Sequence, residues 1–230
     1  MILAVVVSLL LSVASSRSAS APSLDNSDER FKWGVATSAL QIEGCLTCES
    51  RQASIWDRYD NGENSDSPAH ADNSYVQYRD DVRLIKNMIG MTAYRFSISW
   101  SRIISIVNST HTEVNPLGIQ HYNNLINELL ENNIEPIVTL YHWDMPLQYE
   151  INYKSWLDAV SIIKSFKEYA DVCFNVFGDR VKMWYTVNEP WTFTVMGYVV
   201  GAWPPQRCSD RSKCSQGQSP HTTLHYYLYR

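Results

Sequence analysis

The sequence predicts an α/β fold of the (β/α)8 TIM-barrel type, truncated to about its first four βα units. Three observations lead there. Short runs of β-forming residues alternate with long amphipathic helical patterns, the signature of a parallel sheet covered by helices. The strand-like runs recur at near-equal intervals: 45 residues separate Arg95 from Leu140, and 47 separate Leu140 from Val187. No G-x-G-x-x-G or P-loop pattern follows any of them, which excludes dinucleotide- and nucleotide-binding sheets. Eight units this long would need far more than 230 residues, so about four fit.

The elements follow in order. Residues 1–21 read as a signal peptide. Ile2 to Val13 is an apolar run of twelve residues. A bilayer span needs about 20, and Ala19-Ser20-Ala21 fits the A-x-A cleavage pattern. The expectation is entry into the secretory pathway, an extracellular or lumenal (vacuole- or lysosome-like) destination, and no membrane span after signal cleavage. Residues 22–230 then form the barrel segment. Phe31–Thr37 is the first strand-like run, and Asn73 to Ile89 a helix with Val82, Ile85, Met88 and Ile89 on one face. Ala93–Ser97 is the second strand. Ile119, Tyr122, Leu125, Ile126, Leu129 and Leu130 mark the next helix. Ile137–Tyr141 is nearly continuously apolar, as a parallel strand covered on both faces should be. Trp156 to Phe177 repeats the helical pattern through Val160, Ile163, Phe166, Ala170, Cys173 and Phe177, and Met183–Val187 is the fourth strand.

Composition agrees with a folded chain: 45% hydrophobic and 19% charged residues, with a net charge of -5. No basic stripe is present, so no nucleic-acid partner is expected. Asn108-Ser109-Thr110 is an N-glycosylation acceptor. There are five cysteines. Cys208 and Cys214 bracket a polar loop, and a local disulfide is the leading reading. For Cys45 and Cys48 a structural disulfide is favoured over a redox or zinc pair, because no thioredoxin-like context or second ligand pair is visible. Cys173 lies on the apolar side of a helix and reads as a buried thiol. The pairing of Cys45, Cys48 and Cys173 stays open. The six histidines show no H-x3-H or HExxH spacing. No metal and no cofactor is therefore assigned.

In such a barrel the active site lies at the C-terminal ends of the strands. There this sequence carries Gln41-Ile42-Glu43-Gly44 after the first strand and Arg95 in the second. His142-Trp143-Asp144 ends the third, and Asn188-Glu189-Pro190 the fourth. A lone polar residue at a strand end is usually a satisfied loop residue. Four such ends in register lower that prior. Glu with Trp, His, Gln and Asn is a sugar-site composition: carboxyls act on the acetal, amides and imidazole bond hydroxyls, and indoles stack on pyranose rings.

These stretches, with Phe31–Ser38, Ser54–Asp57, Tyr94–Ile103 and Thr139–Asp144, resemble the family 1 glycoside hydrolases, the β-glucosidase and lactase-like group. The resemblance covers residues 31 to 230. It implies that Glu189 is the general acid/base and that Gln41, His142 and Asn188 bond the glycone hydroxyls. Trp143 is implied as the neighbouring aromatic, and Arg95 as the guanidinium that holds the nucleophile carboxylate. Cys208 and Cys214 match a disulfide loop seen in many eukaryotic members. The implied chemistry is retaining double displacement on a β-glycoside small molecule or oligosaccharide, with two carboxyls about 5–5.5 Å apart. Burial and a carboxylate neighbour are expected to raise the pKa of the acid.

The departures are specific. Leu40 stands where an aromatic is common. Glu49–Ala53 replaces a Gly-rich approach, and Lys154-Ser155-Trp156 replaces a Gly-Gly-Trp turn. The family nucleophile, a Glu in a Thr-Glu-Asn-Gly motif, does not occur in these residues. His225 to Arg230 fall where the family has its fourth barrel helix. The expectation is thus the N-terminal half of the hydrolase, inactive alone and self-associating. The alternative is a secreted pseudoenzyme or sugar-binding protein. A thioglucosidase is disfavoured, since those members typically carry Gln in place of the acid.

Overall fold

The structure is a computed structural model describing residues 31–58, 71–87, 91–108, 111–208, 210 and 212–214. The leader at 1–21, Met88, Ile89, Ser109, Thr110 and 225–230 lie outside the described residues. Strand β1 (Gly34–Ala36) is shorter than the seven-residue run that suggests it. Gly34 is required there, because a Cβ would stand 2.6 Å from the Ala93 carbonyl oxygen of the neighbouring strand. The turn α1 (Ala39–Ile42) follows. Helix α2 (Ser74–Asn87) buries Tyr75, Tyr78, Val82 and Ile85, in line with the apolar periodicity.

β2 (Ala93–Ser97) leads into the short helix α3 (Trp100–Ile103). The hairpin β3 (Ile104–Asn108) and β4 (His111–Val114) comes next; its strands are too short to stand out in the sequence. Helix α4 (Pro116–Glu131) starts cleanly. Asn115 accepts from the Leu117 N–H, and Pro116 occupies the first turn, where its missing N–H costs nothing. β5 (Glu135–Tyr141) buries Val138, Thr139, Leu140 and Tyr141, as a strand covered on both faces must. After α5 (Leu147–Tyr153), not anticipated, comes α6 (Ala159–Phe177), capped by Asp158 through the N–H groups of Val160 and Ser161. β6 (Met183–Val187) and α7 (Pro190–Thr194) complete the described elements, with a π-helical turn over Val195–Val199.

The sheet order is β1-β2-β5-β6, all parallel. Each strand lies beside the next with a helix between, as in successive units of a barrel. The outer strand β6 leaves Met183 and Tyr185 exposed.

The apolar face expected for α6 is corrected at its N-terminal end. Val160 and Ile163 are 83% and 62% exposed; the buried stripe runs through Ile162, Tyr169, Ala170, Cys173 and Phe177. Tyr169 sets that rotation. Its hydroxyl reaches the carbonyls of Ile98, just past β2, at 3.0 Å and of Leu140, near the end of β5, at 2.8 Å. Leu130 is likewise half out of the core. Cys45–Cys48 and Cys208–Cys214 are disulfides, and Cys173 is a buried free thiol.

A buried ion pair joins the first two units. Arg102 on α3 donates to Glu43 at 2.7 Å, and the Tyr122 hydroxyl of α4 donates to the other oxygen at 2.6 Å. Arg102 also donates to the Gly44 carbonyl and lies over the Tyr75 ring. Burial alone would raise the Glu43 pKa, but Arg102, His121 and Tyr122 together hold it below its ordinary value. Removing one member of such a pair strands a buried charge. Arg102→Met is expected to lose about 3–5 kcal/mol of unfolding free energy in a denaturant titration. The paired change Glu43→Gln with Arg102→Met should lose less than the sum of the two single changes.

Lys154 and Ser155 both have left-handed backbone, φ 59° and 53°. These are the two positions where the family resemblance places glycines. A left-handed residue with a Cβ costs roughly 1–2 kcal/mol. Lys154→Gly should therefore stabilise the chain by about 1 kcal/mol. Ser155→Gly should not, since the buried Ser155 hydroxyl donates to Glu150.

Candidate active site

The parallel register brings the expected residues to one rim. Asn188 follows β6 directly, and its N–H continues the ladder to the Tyr141 carbonyl at 2.9 Å. His142 and Asn188 are both buried there. Arg95 donates through Nη2 to Asn188 Oδ1 at 2.5 Å, while Asn188 Nδ2 lies 3.1 Å from His142 Nε2. Guanidinium only donates, so Asn188 must present its oxygen to Arg95 and its NH2 to His142. His142 Nε2 is then the acceptor and Nδ1 carries the proton. That Nδ1 is buried and makes no hydrogen bond within the protein. Burial, with the Arg95 charge nearby, lowers the His142 pKa to about 4, so the ring is neutral above that pH.

Trp143 turns the chain at this rim with φ 75°. Its indole N–H donates to the Asn188 carbonyl at 2.9 Å, and its own carbonyl accepts from the Trp56 indole at 3.0 Å. Trp203 packs against both rings, at 5.1 Å from Trp143 and 5.9 Å from Trp56. Gln41 is exposed, with its carbonyl oxygen bonded to the Ser38 hydroxyl at 2.7 Å; its NH2 is the group left to meet a ligand. Glu189 is the N-cap of α7 in the left-handed region, φ 42° and ψ 63°, directly before Pro190. A non-glycine residue held so costs of order 1–3 kcal/mol, and such strain clusters at functional sites.

One expectation needs correction. Glu189 is exposed, not buried, because no described residue covers its outer side. The expected residues are otherwise assembled: Arg95, His142, Trp143 and Asn188 form one bonded chain, Glu189 adjoins it, and Gln41 stands apart. Trp56 and Trp203 escaped the sequence reading as site neighbours. Trp56 lies inside a quoted motif, but its spacing gives no hint of the contact with Trp143. Arg95 Nε is buried and donates no hydrogen bond within the protein. None of the rim residues lines the 820 Å³ groove, which lies between the β3–β4 hairpin and α6. Among the described residues there is no cluster of three or more His, Cys, Asp or Glu suited to a metal, and no helix long and apolar enough to cross a membrane.

The family model for glycosyl hydrolase family 1 matches residues 25–226. The chain belongs to glycosyl hydrolase family 1. It is 44% identical over 206 residues to a furostanol glycoside 26-O-beta-glucosidase of Hellenia speciosa, covering 86% of this chain and 36% of that protein. Beta-glucosidase 12 of Oryza sativa subsp. japonica is 46% identical over 209 residues, 86% of this chain and 40% of the relative. A mutant rice beta-glucosidase in a covalent complex with Glc superposes with a TM-score of 0.78 at 41% identity, over 86% of this chain and 42% of that one. A beta-glucosidase of the fungus Humicola insolens in complex with glucose gives 0.79 at 37% identity, with the same coverage of 86% and 42%. The family 1 chain thus spans less than half the length of these relatives.

Below the rim, Asp144 is buried and its pKa is pushed up to about 7 by desolvation, against the pull of the Arg51 guanidinium. A folded-state pKa above the ordinary 3.8 means that the fold holds this proton more tightly than the open chain. Its contribution is full below about pH 4 and is lost as the pH rises through about 7. Asp144→Asn should therefore gain stability relative to the parent chain as pH rises from 4 to 7, read as the difference between two denaturation profiles. His142 and His121, both lowered to about 4, slope the opposite way between 6.5 and 4, so only the difference isolates Asp144.

Proposed function

We propose that this chain supplies the acid/base half of a retaining β-glucosidase-type hydrolase acting on β-O-glycosidic bonds. The observation that carries the reading is the Asn188 amide, pinned by Arg95 on one side and His142 on the other, beside Glu189. Glu189 protonates the leaving glycosidic oxygen while a second carboxylate attacks the anomeric carbon. Glu189 then takes a proton from water to release the sugar. The second Asn188 amide N–H and the Gln41 NH2 are donors for glycone hydroxyls, His142 holds the Asn188 amide through Nε2, and Trp143 offers an indole face. The Arg95 side chain, which reaches the rim through its Nη2 bond to Asn188, supports the assignment of Arg95 as holder of the second carboxylate. That carboxylate is not in a Thr-Glu-Asn-Gly motif of these 230 residues. The covalent complex with Glc of the rice relative supports double displacement. Catalysis needs no metal or cofactor in this scheme.

The reading extends to setting and association. The apolar leader, the two disulfides and the Asn108 triplet support passage through the secretory pathway to an extracellular or lumenal site. The exposed Met183 and Tyr185 of the outer strand support self-association of the 230-residue chain, since they leave an apolar face of that strand uncovered.

The 230-residue chain alone should show no turnover of an aryl β-glucoside. Co-refolded with the last four βα units of a rice relative, it should gain activity, and Glu189→Gln should lower that activity by about 10²–10⁴-fold. Turnover by the chain alone that survives Glu189→Gln would overturn the assignment.

A further inference from the structure

We propose that a small cavity below the rim is a binding site for one structural water, which joins the buried Asp144 carboxyl to the Arg102 guanidinium. The inference is independent of the catalytic reading. Asp144 and Arg102 are each 1% exposed, and both line a cavity of about 10 Å³. One water needs about 10–15 Å³ of such space, so nothing larger enters. Glu43, Gly44, Arg51 and Ser99 complete the polar part of its wall. Among the described residues, neither oxygen of Asp144 has a hydrogen-bond partner, and neither has Arg102 Nη1. The other Arg102 nitrogens are committed, Nε to Glu43 at 2.7 Å and Nη2 to the Gly44 carbonyl at 2.9 Å. The Ser99 hydroxyl faces the Asp144 carboxyl without completing a bond to it. Buried polar groups left in this way are costly, and charged ones more so.

The donors and acceptors select water. Arg102 Nη1 only donates, and Asp144 offers an accepting oxygen in either protonation state. The ligand must therefore accept from one and donate to the other. A halide only accepts, and it would face Glu43 and Asp144. A metal ion or an ammonium has no lone pair for Arg102 and would meet two guanidinium charges. Water does both, and its second proton has Ser99 Oγ as acceptor. That makes three bonds, the usual number for a buried water. A second cavity of about 10 Å³ provides the contrast. In its wall Thr37 and Tyr94 bond each other at 2.6 Å, Ser97 accepts from the Ala39 N–H at 2.7 Å, and Ser74 donates to Asp81 at 2.5 Å. Among the described residues no group there is stranded, so it makes no comparable claim on a water. The bridging water ties α3 to the turn after β5. That turn carries His142 and Trp143, so the water is part of what holds the rim in place.

The test uses the full 230-residue chain. Magnetic relaxation dispersion of the water signal counts internal waters that stay longer than the protein takes to tumble. Asp144→Asn keeps an acceptor in place and should give the same count as the parent. Asp144→Leu fills the cavity with an apolar side chain and should give one fewer. An equal count in the parent and Asp144→Leu overturns the proposal, and so does a lower count in Asp144→Asn. If Asp144→Leu does not fold, the electron density of the crystallised parent chain decides. Expected is an isolated peak about 2.7–3.2 Å from both Asp144 and Arg102 Nη1. A featureless cavity, or Asp144 bonded directly to Arg102, overturns the site. None of these results touches the hydrolase reading, which the aryl-glucoside assay decides separately.

Discussion

In-register parallel pairing is the constraint on which everything else in this chain depends. Arg95 stands opposite Ala36 and Ile137, and Tyr141 opposite Val187, so the strands end at one level. Parallel strands all deliver their C-terminal loops to the same edge, and helical returns are long enough to restore the register each time. His142 and Asn188, 46 positions apart, therefore meet within hydrogen-bond distance. A slip of one residue in β5 or β6 would turn the alternate side chains to the rim and separate the pair.

The rim is supported from below by buried charge. Glu43 with Arg102 fastens the loop after β1 to α3, and Glu150 with Arg207 fastens α5 to the segment leading into the Cys208–Cys214 disulfide. Both pairs are buried, and each carboxylate has a further hydroxyl donor: Tyr122 for Glu43, Ser155 for Glu150. Buried pairs add little net stability, because desolvation offsets attraction. Their effect is selective. Any displacement of the loop that separates the partners leaves an uncompensated charge, so few alternative loop arrangements compete.

Much of this was legible in the residues. The strands at 93–97 and 183–187 match their β-rich runs, and Val82, Ile85, Leu125, Ile126 and Leu129 are buried as their spacing requires. Arg95, His142, Asn188 and Glu189 were readable as rim residues because strand ends are where barrel chemistry lies. What escaped was decided by tertiary contact. The rotation of α6 follows from two carbonyls that share the Tyr169 hydroxyl proton, which no periodicity of α6 itself encodes. Glu43 stood in a quoted motif, yet its partner Arg102 lies 59 positions away, and nothing local announces the pair. The burial expected of Glu189 came from the family resemblance, and no described residue covers the outer side of Glu189 here.

The left-handed turns have a kinetic side. Lys154 and Ser155, like Glu49 and Ser50 with φ of 51° and 61°, adopt a backbone that their own side chains disfavour. Such turns gain nothing from local preference, so they cannot seed structure in the open chain. The surrounding packing has to exist before it can impose their shape. They belong on the native side of the folding barrier, where strain hastens unfolding and leaves the folding rate nearly untouched. The chain keeps the contours of a glycine turn without the glycine, and its lifetime in the folded state is where that difference is felt.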